Sequence, residues 1–178
     1  MGCVVVDTLE ISALKGVIAS ITSSGNGCAP LNTTFTNDSE NASYYSWNFS
    51  DGDVSSDFEP VHIFDNTSEN IVSYSVELIA IAENGCNDTT TIVIDAFPEV
   101  TMDISLSQNE GCSPFEVQTP FIENASQITW SFGDDSNDAN TQTVSHVYSN
   151  VSNNTQIFTL SAIGVSEYGC VGEYSSLI

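Results

Sequence analysis

The stretch SYYSWNFSDGDVSS, residues 43–56, alternates large aromatic side chains with smaller polar ones and then ends in acidic residues. Tyr45, Trp47 and Phe49 share one face of the strand that this alternation predicts, because successive side chains of a strand point to opposite sides of a sheet. The Asp-Gly-Asp sequence at 51–53 is typical of a tight turn, since Gly permits positive φ and Asp accepts backbone hydrogen bonds. The stretch therefore predicts a strand with a buried aromatic face, closed by an acidic turn.

The same stretch returns as SQITWSFGDDSNDA at 126–139, inside a longer internal repeat. GCAP at 27–30 returns as GCSP at 111–114. The segment YSVELIAIAENGC, which ends at Cys86, returns as FTLSAIGVSEYGC, which ends at Cys170. Both pairs of segments are offset by 84 residues (111 − 27 and 170 − 86). Self-similarity at a fixed period indicates tandem structural units, so we interpret the chain as a tandem repeat.

The repeat also predicts domain boundaries. GCVVVDTLEIS resembles the strand-like tails that follow Gly-Cys at the ends of the two later copies. We therefore expect residues 1–12 to form the last strand of a preceding repeat, followed by full repeats at 13–97 and 98–178. The first segment carries apolar side chains that nothing else in the chain is expected to cover, namely Val4, Val6, Leu9 and Ile11. We expect it to be disordered in isolation or docked on another molecule.

Each full repeat contains several short runs with a period of two, separated by loops rich in Asn, Ser and Gly, without helical periodicity. About seven short strands in roughly 84 residues are typical of an immunoglobulin-like (Ig-like) β-sandwich. The sequence therefore predicts an all-β fold of two tandem sandwiches.

The order of short motifs GCxP, WxFxDG, Hx[FY], YxVxL and NGC resembles the PKD (polycystic kidney disease) domain family. It is most similar to the tandem PKD repeats of very large bacterial surface and gliding-type adhesins. The two copies depart from the family pattern, with Ser50 and Asp135 where Gly is usual. The resemblance implies Ig-like sandwiches that lack catalytic activity and stand in an extracellular, cell-surface protein.

The aromatic stretches allow two interpretations. In the first, the aromatics fill the core between two sheets and the acids close the hairpin; these core aromatics are Trp47, Phe49, Trp130 and Phe132. In the second, the acids bind Ca²⁺, with Asp51, Asp53, Asp134 and Asp135 as candidate ligands. The spacing of an EF-hand is absent, so the first interpretation is favoured and no cofactor is expected.

The charge of the chain excludes several classes of partner. Asp and Glu number 24 against one basic residue, Lys15, and the formal net charge is −23. Such a surface repels phosphate backbones and anionic lipid headgroups. Neither nucleic-acid binding nor contact with a membrane through a polybasic segment is therefore expected. No apolar run approaches the length that a membrane-spanning helix needs, so direct membrane insertion is not expected either.

The two histidines, His62 and His146, occupy equivalent positions, and a residue that recurs in every unit is typical of a structural role. GxSxG, HExxH, P-loop and GxGxxG motifs are all absent from the sequence. The chain is therefore not expected to be an enzyme.

The five cysteines lack the clustered spacing of a metal site and indicate disulfides in an oxidising compartment. Pairing within each repeat gives Cys28–Cys86 and Cys112–Cys170, and the equal spacing of these two pairs favours it. The alternative is a Cys28–Cys170 bond between neighbouring repeats, because the two cysteines of one Ig-like unit lie at opposite ends. The equal spacing leaves Cys3, which we interpret as the second cysteine of a preceding repeat.

Nine Asn-x-Ser/Thr sequons exceed the number expected by chance and suggest an extracellular surface that carries glycans. They begin at Asn32, Asn37, Asn41, Asn48, Asn66, Asn87, Asn124, Asn150 and Asn153.

The leading functional hypothesis is a stalk or filament of a large secreted adhesin at the cell surface. Its partners are then neighbouring repeats of the same long chain and other surface or filament proteins. The alternative is an accessory module of a secreted hydrolase that binds polysaccharide or protein through exposed aromatics. Buried Trp47 and Trp130 favour the stalk, and exposed ones favour the binding module.

Overall fold

The computed structural model describes residue 7, residues 9–136 and residues 138–178. Within them the protein forms thirteen β-strands and no helix, so the all-β prediction is confirmed. In chain order the strands are β1 (Ile21–Ser23), β2 (Gly27–Cys28), β3 (Leu31–Asn37), β4 (Tyr44–Asn48), β5 (Val54–Ser55), β6 (Val61–Phe64), β7 (Val72–Ile81), β8 (Asn87–Phe97), β9 (Phe115–Gln118), β10 (Gln127–Ser131), β11 (Ser145–Tyr148), β12 (Thr159–Val165) and β13 (Val171–Leu177). None of the described residues belongs to a helix long and apolar enough to cross a membrane.

The first eight strands form two sheets in a sandwich-like arrangement. One sheet has the order β1-β3-β6, and the other has the order β2-β8-β7-β4-β5. The aromatic stretch supplies β4, which pairs antiparallel with β7 so that Trp47 lies opposite Leu78. The short β2 instead runs parallel to the end of β8, with Cys28 opposite Phe97.

Aromatic side chains fill the core beside β4, as its alternating pattern requires. Trp47 is 0% exposed and Phe49 is 2% exposed, whereas Tyr44 at the start of the same strand is 60% exposed. The ring centroid of Phe35 on β3 lies 5.6 Å from those of both Trp47 and Phe49. Such close aromatic contacts add to the free energy gained by burying the rings.

The last five strands form the sheets β9-β11 and β10-β12-β13. Trp130 on β10 is 0% exposed and belongs to one core cluster with Phe132, Tyr148 and Leu160. Five described strands follow residue 98, fewer than the seven or so expected for each repeat, because residues 98–114 pair with no strand.

The segment before β9 is nevertheless packed into the core. Val100, Met102 and Ile104 alternate with exposed residues and are all buried, so the chain here is extended without a strand ladder. It passes over Gly164 and Gly172, which face each other across β12 and β13. A Cβ on Gly172 would clash with the backbone oxygen of Val100, so the absence of a side chain permits this close approach.

The predicted first strand lies mostly outside the described residues, which exclude 1–6 and 8. Residues 7 and 9–12 form no strand, and Leu9 and Ile11 are 85% and 84% exposed. The described residues of this segment thus form no strand, and Leu9 and Ile11 are left uncovered, in line with the expectation that the segment needs another molecule to dock on. Their assignment to a preceding repeat stays a prediction.

The chain divides into two compact units that do not follow the sequence in simple order. The first contains Met1–Ser24, Thr33–His62 and Tyr74–Ile94, and the second contains Gly25–Asn32, Ile63–Ser73 and Asp95–Ile178. The segment around Cys28 joins the second unit because it hydrogen-bonds to the end of β8, as in the 3.0 Å bond from the Ala29 amide to the Phe97 oxygen. The boundary between residues 97 and 98 stays a prediction from the repeat.

Candidate functional site

In each copy a histidine contacts both the acidic turn and the aromatic residue that precedes it. In the first copy the His62 ring stacks on Phe49 at 4.1 Å between centroids, and its Nε2 lies 2.6 Å from an oxygen of Asp51. In the second copy His146 stacks on Phe132 at 3.9 Å, and its Nε2 lies 2.8 Å from Asp134. The histidines therefore have a structural role, joining the core aromatic to the turn.

The turns also use hydrogen bonds from the backbone and from the tryptophans. The indole Nε1 of Trp47 donates to the Asp57 oxygen at 2.9 Å, and that of Trp130 donates to the Thr141 oxygen at 2.9 Å. The Asp51 carboxylate accepts the amide of Asp53 at 3.0 Å. The acids thus close the turns, as the first interpretation of the stretch requires.

The two positions where the family pattern has Gly both have positive φ. Ser50 has a φ of 63° and Asp135 has a φ of 62°. These values lie in the left-handed region, which residues other than Gly rarely adopt. Their equivalents in the other copy, Gly133 and Gly52, have φ values of 72° and 108°. The departures from the family pattern therefore leave the backbone conformation of the turn in the same region.

These contacts change the acidity of the turn. Burial by itself raises the pKa of the Asp51 carboxyl, but hydrogen bonds from His62 and the Asp53 amide outweigh it and hold that pKa below its ordinary value. For the pKa of Asp134, burial is again outweighed, here by hydrogen bonds from Ser136 and from His146. Burial and the nearby Asp134 charge raise the pKa of Tyr148, whose hydroxyl donates to the Phe132 oxygen, to about 12.

Among the residues that the structure describes, one group of three possible metal ligands occurs, and it lies at the first acidic turn. Asp51, Asp53 and His62 bring one ligand atom each within 4.8 Å of one another. In the second copy Ser136 stands in the place of Asp53 and donates to Asp134. Ca²⁺ prefers six to eight oxygen ligands, and an imidazole nitrogen suits transition metals instead, so these residues fit Ca²⁺ poorly.

The cysteines pair differently from the scheme that equal spacing favours. Cys28 bonds to Cys170, 142 residues further along the chain, with 5.5 Å between their Cα atoms. Pairing of Cys28 with Cys86 is excluded by β8, since Cys86 precedes its first residue and Cys28 lies beside its last, Phe97. Those ends are about 35 Å apart at the usual rise of a strand, far beyond the reach of a disulfide.

The pairing leaves Cys86 and Cys112 as free thiols, half-buried and exposed respectively. Cys3 lies outside the described residues. Cys170 is 3% exposed, and next to it Tyr168 stacks on Phe97 at 5.1 Å between centroids. The bond is thus embedded in packed side chains of the second unit.

Two predicted glycosylation sites are buried in the fold. Asn37 is 5% exposed and its Nδ2 donates to the Phe58 oxygen at 3.1 Å. Asn66 is 3% exposed and its Nδ2 donates to the oxygen of Ala96 at 2.7 Å. Because the amide nitrogen would have to carry the glycan, Asn37 and Asn66 are wrong as candidates. The exposed candidates are Asn32, Asn41, Asn48, Asn87, Asn124 and Asn153, and Asn150 is half-buried.

Residues 18–96 match the family model of the PKD domain, so a PKD domain is detected in this part of the chain. No curated protein in the comparison matches the chain. A PKD domain fits a non-catalytic adhesive or binding role, and no catalytic family is indicated.

Solved structures that resemble the chain are β-domains of bacterial proteins. The PKD1 domain of Vibrio anguillarum Epp is 22% identical, with a TM-score of 0.39, over 47% of this chain and 96% of that chain. The PKD1 domain of the Vibrio cholerae metalloprotease PrtV has the same identity and TM-score, over 47% and 99%. The fibronectin(III)-like modules of Clostridium thermocellum CbhA are 12% identical, with a TM-score of 0.37, over 89% and 93%.

Proposed function

We propose that this chain is a load-bearing spacer in the stalk or filament of a large secreted cell-surface adhesin. The observation that carries the proposal is the Cys28–Cys170 bond. Tension applied at the two ends of the chain passes through the S–S bond. The residues between the two cysteines, which are separated by 142 positions, therefore carry no tension. Such a unit lengthens only through the segments outside the bond, even where the strands between the two cysteines separate.

Two further features support a spacer over the rival binding module. Trp47 and Trp130 are both 0% exposed, so the aromatics that a carbohydrate- or protein-binding face would need are used in the cores. The disulfide also fits an extracellular location, where thiols become oxidised. Neighbouring repeats and other surface or filament proteins are then the partners.

Single-molecule pulling of the full chain by its two ends tests this function. The oxidised chain should extend only through the segments before Cys28 and after Cys170, about 120 Å in total at about 3.5 Å per residue. A reducing agent should release the bridged segment and add about 500 Å. A Cys28→Ser variant should show this gain without reductant, and Cys112→Ser, which keeps the bond, should not.

An oxidised chain that lengthens by the full amount would contradict the spacer function, because the bond would not carry the load. Specific binding of the chain to a polysaccharide or protein on an array would support the accessory module instead.

A further inference from the structure

The two free cysteines correspond to the two halves of the bond that the structure contains. Cys112 holds the position in the second copy that Cys28 holds in the first. Cys86 holds the position in the first copy that Cys170 holds in the second. One free thiol is therefore the equivalent of the bond's first partner, and the other is the equivalent of its second.

The loop that presents Cys86 shares its backbone hydrogen bonds with the loop that presents Cys170, although the amide of Cys86 donates to Asn84 and that of Cys170 to the hydroxyl of Ser166. The Ala82 amide donates to the Cys86 oxygen at 2.8 Å, and the Ser166 amide donates to the Cys170 oxygen at 2.9 Å. The glycine that precedes the cysteine has a φ of 85° in the first loop and 82° in the second. Two neighbours differ, since Tyr168 and Ser166 beside Cys170 correspond to Asn84 and Ala82 beside Cys86.

The glycine before Cys112 resembles the one before Cys28, although Cys28 lies on β2 beside β8 and Cys112 lies in no strand. Gly27 and Gly111, which precede these cysteines, each lie so close to the side chain four residues later that an added Cβ would clash with it. Cys112 is exposed and lines a cavity of about 640 Å³ within the second unit. Aromatic rings contribute to its wall, from Phe115, Tyr148 and Phe158.

We propose that Cys112 and Cys86 are linking cysteines, each of which forms the Cys28–Cys170 type of bond with a further repeat of this kind. The cavity beside Cys112 receives the Gly-Cys loop of one repeat, and Cys86 pairs with the GCxP cysteine of another. The bond already present identifies the partner, because in it Cys28 of a GCxP motif is bonded to Cys170 of an NGC-type loop. A second copy of this chain offers both elements.

The bond forms by thiol–disulfide exchange with a low-molecular-weight disulfide as the oxidant. The Cys112 thiolate attacks glutathione disulfide, which releases one glutathione and leaves a mixed disulfide. The Cys86 thiolate of the second copy then displaces the second glutathione. Two thiols are oxidised, one S–S bond forms, and the oxidant is reduced to two glutathione molecules.

A consequence for an array of repeats rests on the spacer function. In such an array the proposed bonds and the Cys28–Cys170 bond would overlap along the chain. Each bond begins inside the span of the previous one, because Cys112 lies between Cys28 and Cys170. Load would then pass from one repeat to the next through covalent bonds.

Two variants of the chain, both carrying Cys3→Ser so that Cys3 takes no part, test the pairing. Cys112→Ser leaves Cys86 as the free thiol, and Cys86→Ser leaves Cys112. Each variant is incubated alone and in an equimolar mixture in a glutathione redox buffer. Products are separated without reductant and their linked peptides are mapped by mass spectrometry, with the Cys28–Cys170 peptide as the control for the native fold.

We expect the mixture to give mainly the mixed dimer joined by a Cys86–Cys112 peptide, and each variant alone to give chiefly glutathione-capped monomer. Random pairing of equally reactive thiols yields the mixed dimer as only about half of the dimers. A product at that random share, or glutathione adducts on both thiols without the mixed dimer, would overturn the proposal. The pulling experiment depends on the existing bond alone, so the spacer function and this linkage can fail separately.

Discussion

Replacing Trp47 with Ala tests the structural interpretation of the aromatic stretch most directly. The side chain is 0% exposed, lies 5.6 Å from the ring of Phe35 and donates its indole hydrogen to the oxygen of Asp57. Deleting a fully buried Trp typically costs about 3–5 kcal/mol in the free energy of unfolding, since the cavity closes only in part.

Two control substitutions separate packing from the hydrogen bond and from strand propensity. Trp47→Phe keeps one ring but removes the donor and part of the buried indole, and it should cost less than Trp47→Ala, because most of the packing remains. Tyr44→Ala removes an aromatic ring that is 60% exposed on the same strand, and it should cost less than about 1 kcal/mol.

Urea denaturation of the oxidised chain, followed by far-UV circular dichroism, measures all three variants. Midpoints should move with the slope unchanged, so that the shifts report stability. In Trp47→Ala the fluorescence of Trp130 also reports whether the second unit unfolds in the same transition. If Trp47→Ala costs no more than Tyr44→Ala, the core role of the stretch is refuted. If Trp47→Phe costs as much as Trp47→Ala, the ring that Phe retains contributes nothing to the packing.

Two further predictions concern the turns. Because the folded chain lowers the pKa of Asp51 and Asp134, their ionised forms stabilise it above the ordinary value of 3.8, and this contribution is lost as the pH falls below that value. Replacing both with Asn should flatten the fall of melting temperature below pH 3.8, and an unchanged acid slope would contradict the turn contacts. Gly133→Ala should destabilise the chain by about 1 kcal/mol or more beyond Gly52→Ala in urea denaturation, because both have positive φ but only the Cβ at 133 would meet a backbone oxygen, at 2.6 Å. Equal costs would show that this close approach is relieved by a small backbone shift.

Much of the fold follows from local patterns in the sequence. The alternation around Trp47 and Trp130 was enough to place both rings in a core, because a strand exposes and buries side chains with a period of two. The acidic turn followed from the preference of Asp and Gly for such conformations. The extended, unpaired segment at 98–114 was not predicted, because its alternation is also that of a strand and only the absence of a neighbouring ladder distinguishes it.

The candidate site was predicted only in part. Both histidines were expected to be structural, yet their partners Asp51 and Asp134 were not identified. A signal was available, since each copy has an Asp shortly after the aromatic Phe and a His at nearly the same distance beyond that Asp. The approach of the two side chains depends on how β6 and β11 return toward the turns, which local sequence does not encode.

The sequence by itself determined the strand pattern around both tryptophans, the repeated motifs and the acidic net charge, because these depend on residue order and charge alone. Only the tertiary structure decided the disulfide pairing, since the regular spacing of the cysteines is compatible with bonds within repeats and between them. It also decided which sequons are buried, through long-range contacts such as that of Asn66 with Ala96. The physical reason is the same in each case: a disulfide or a buried hydrogen bond depends on distances of a few ångströms between residues remote in sequence, and those distances exist only after the sheets have assembled.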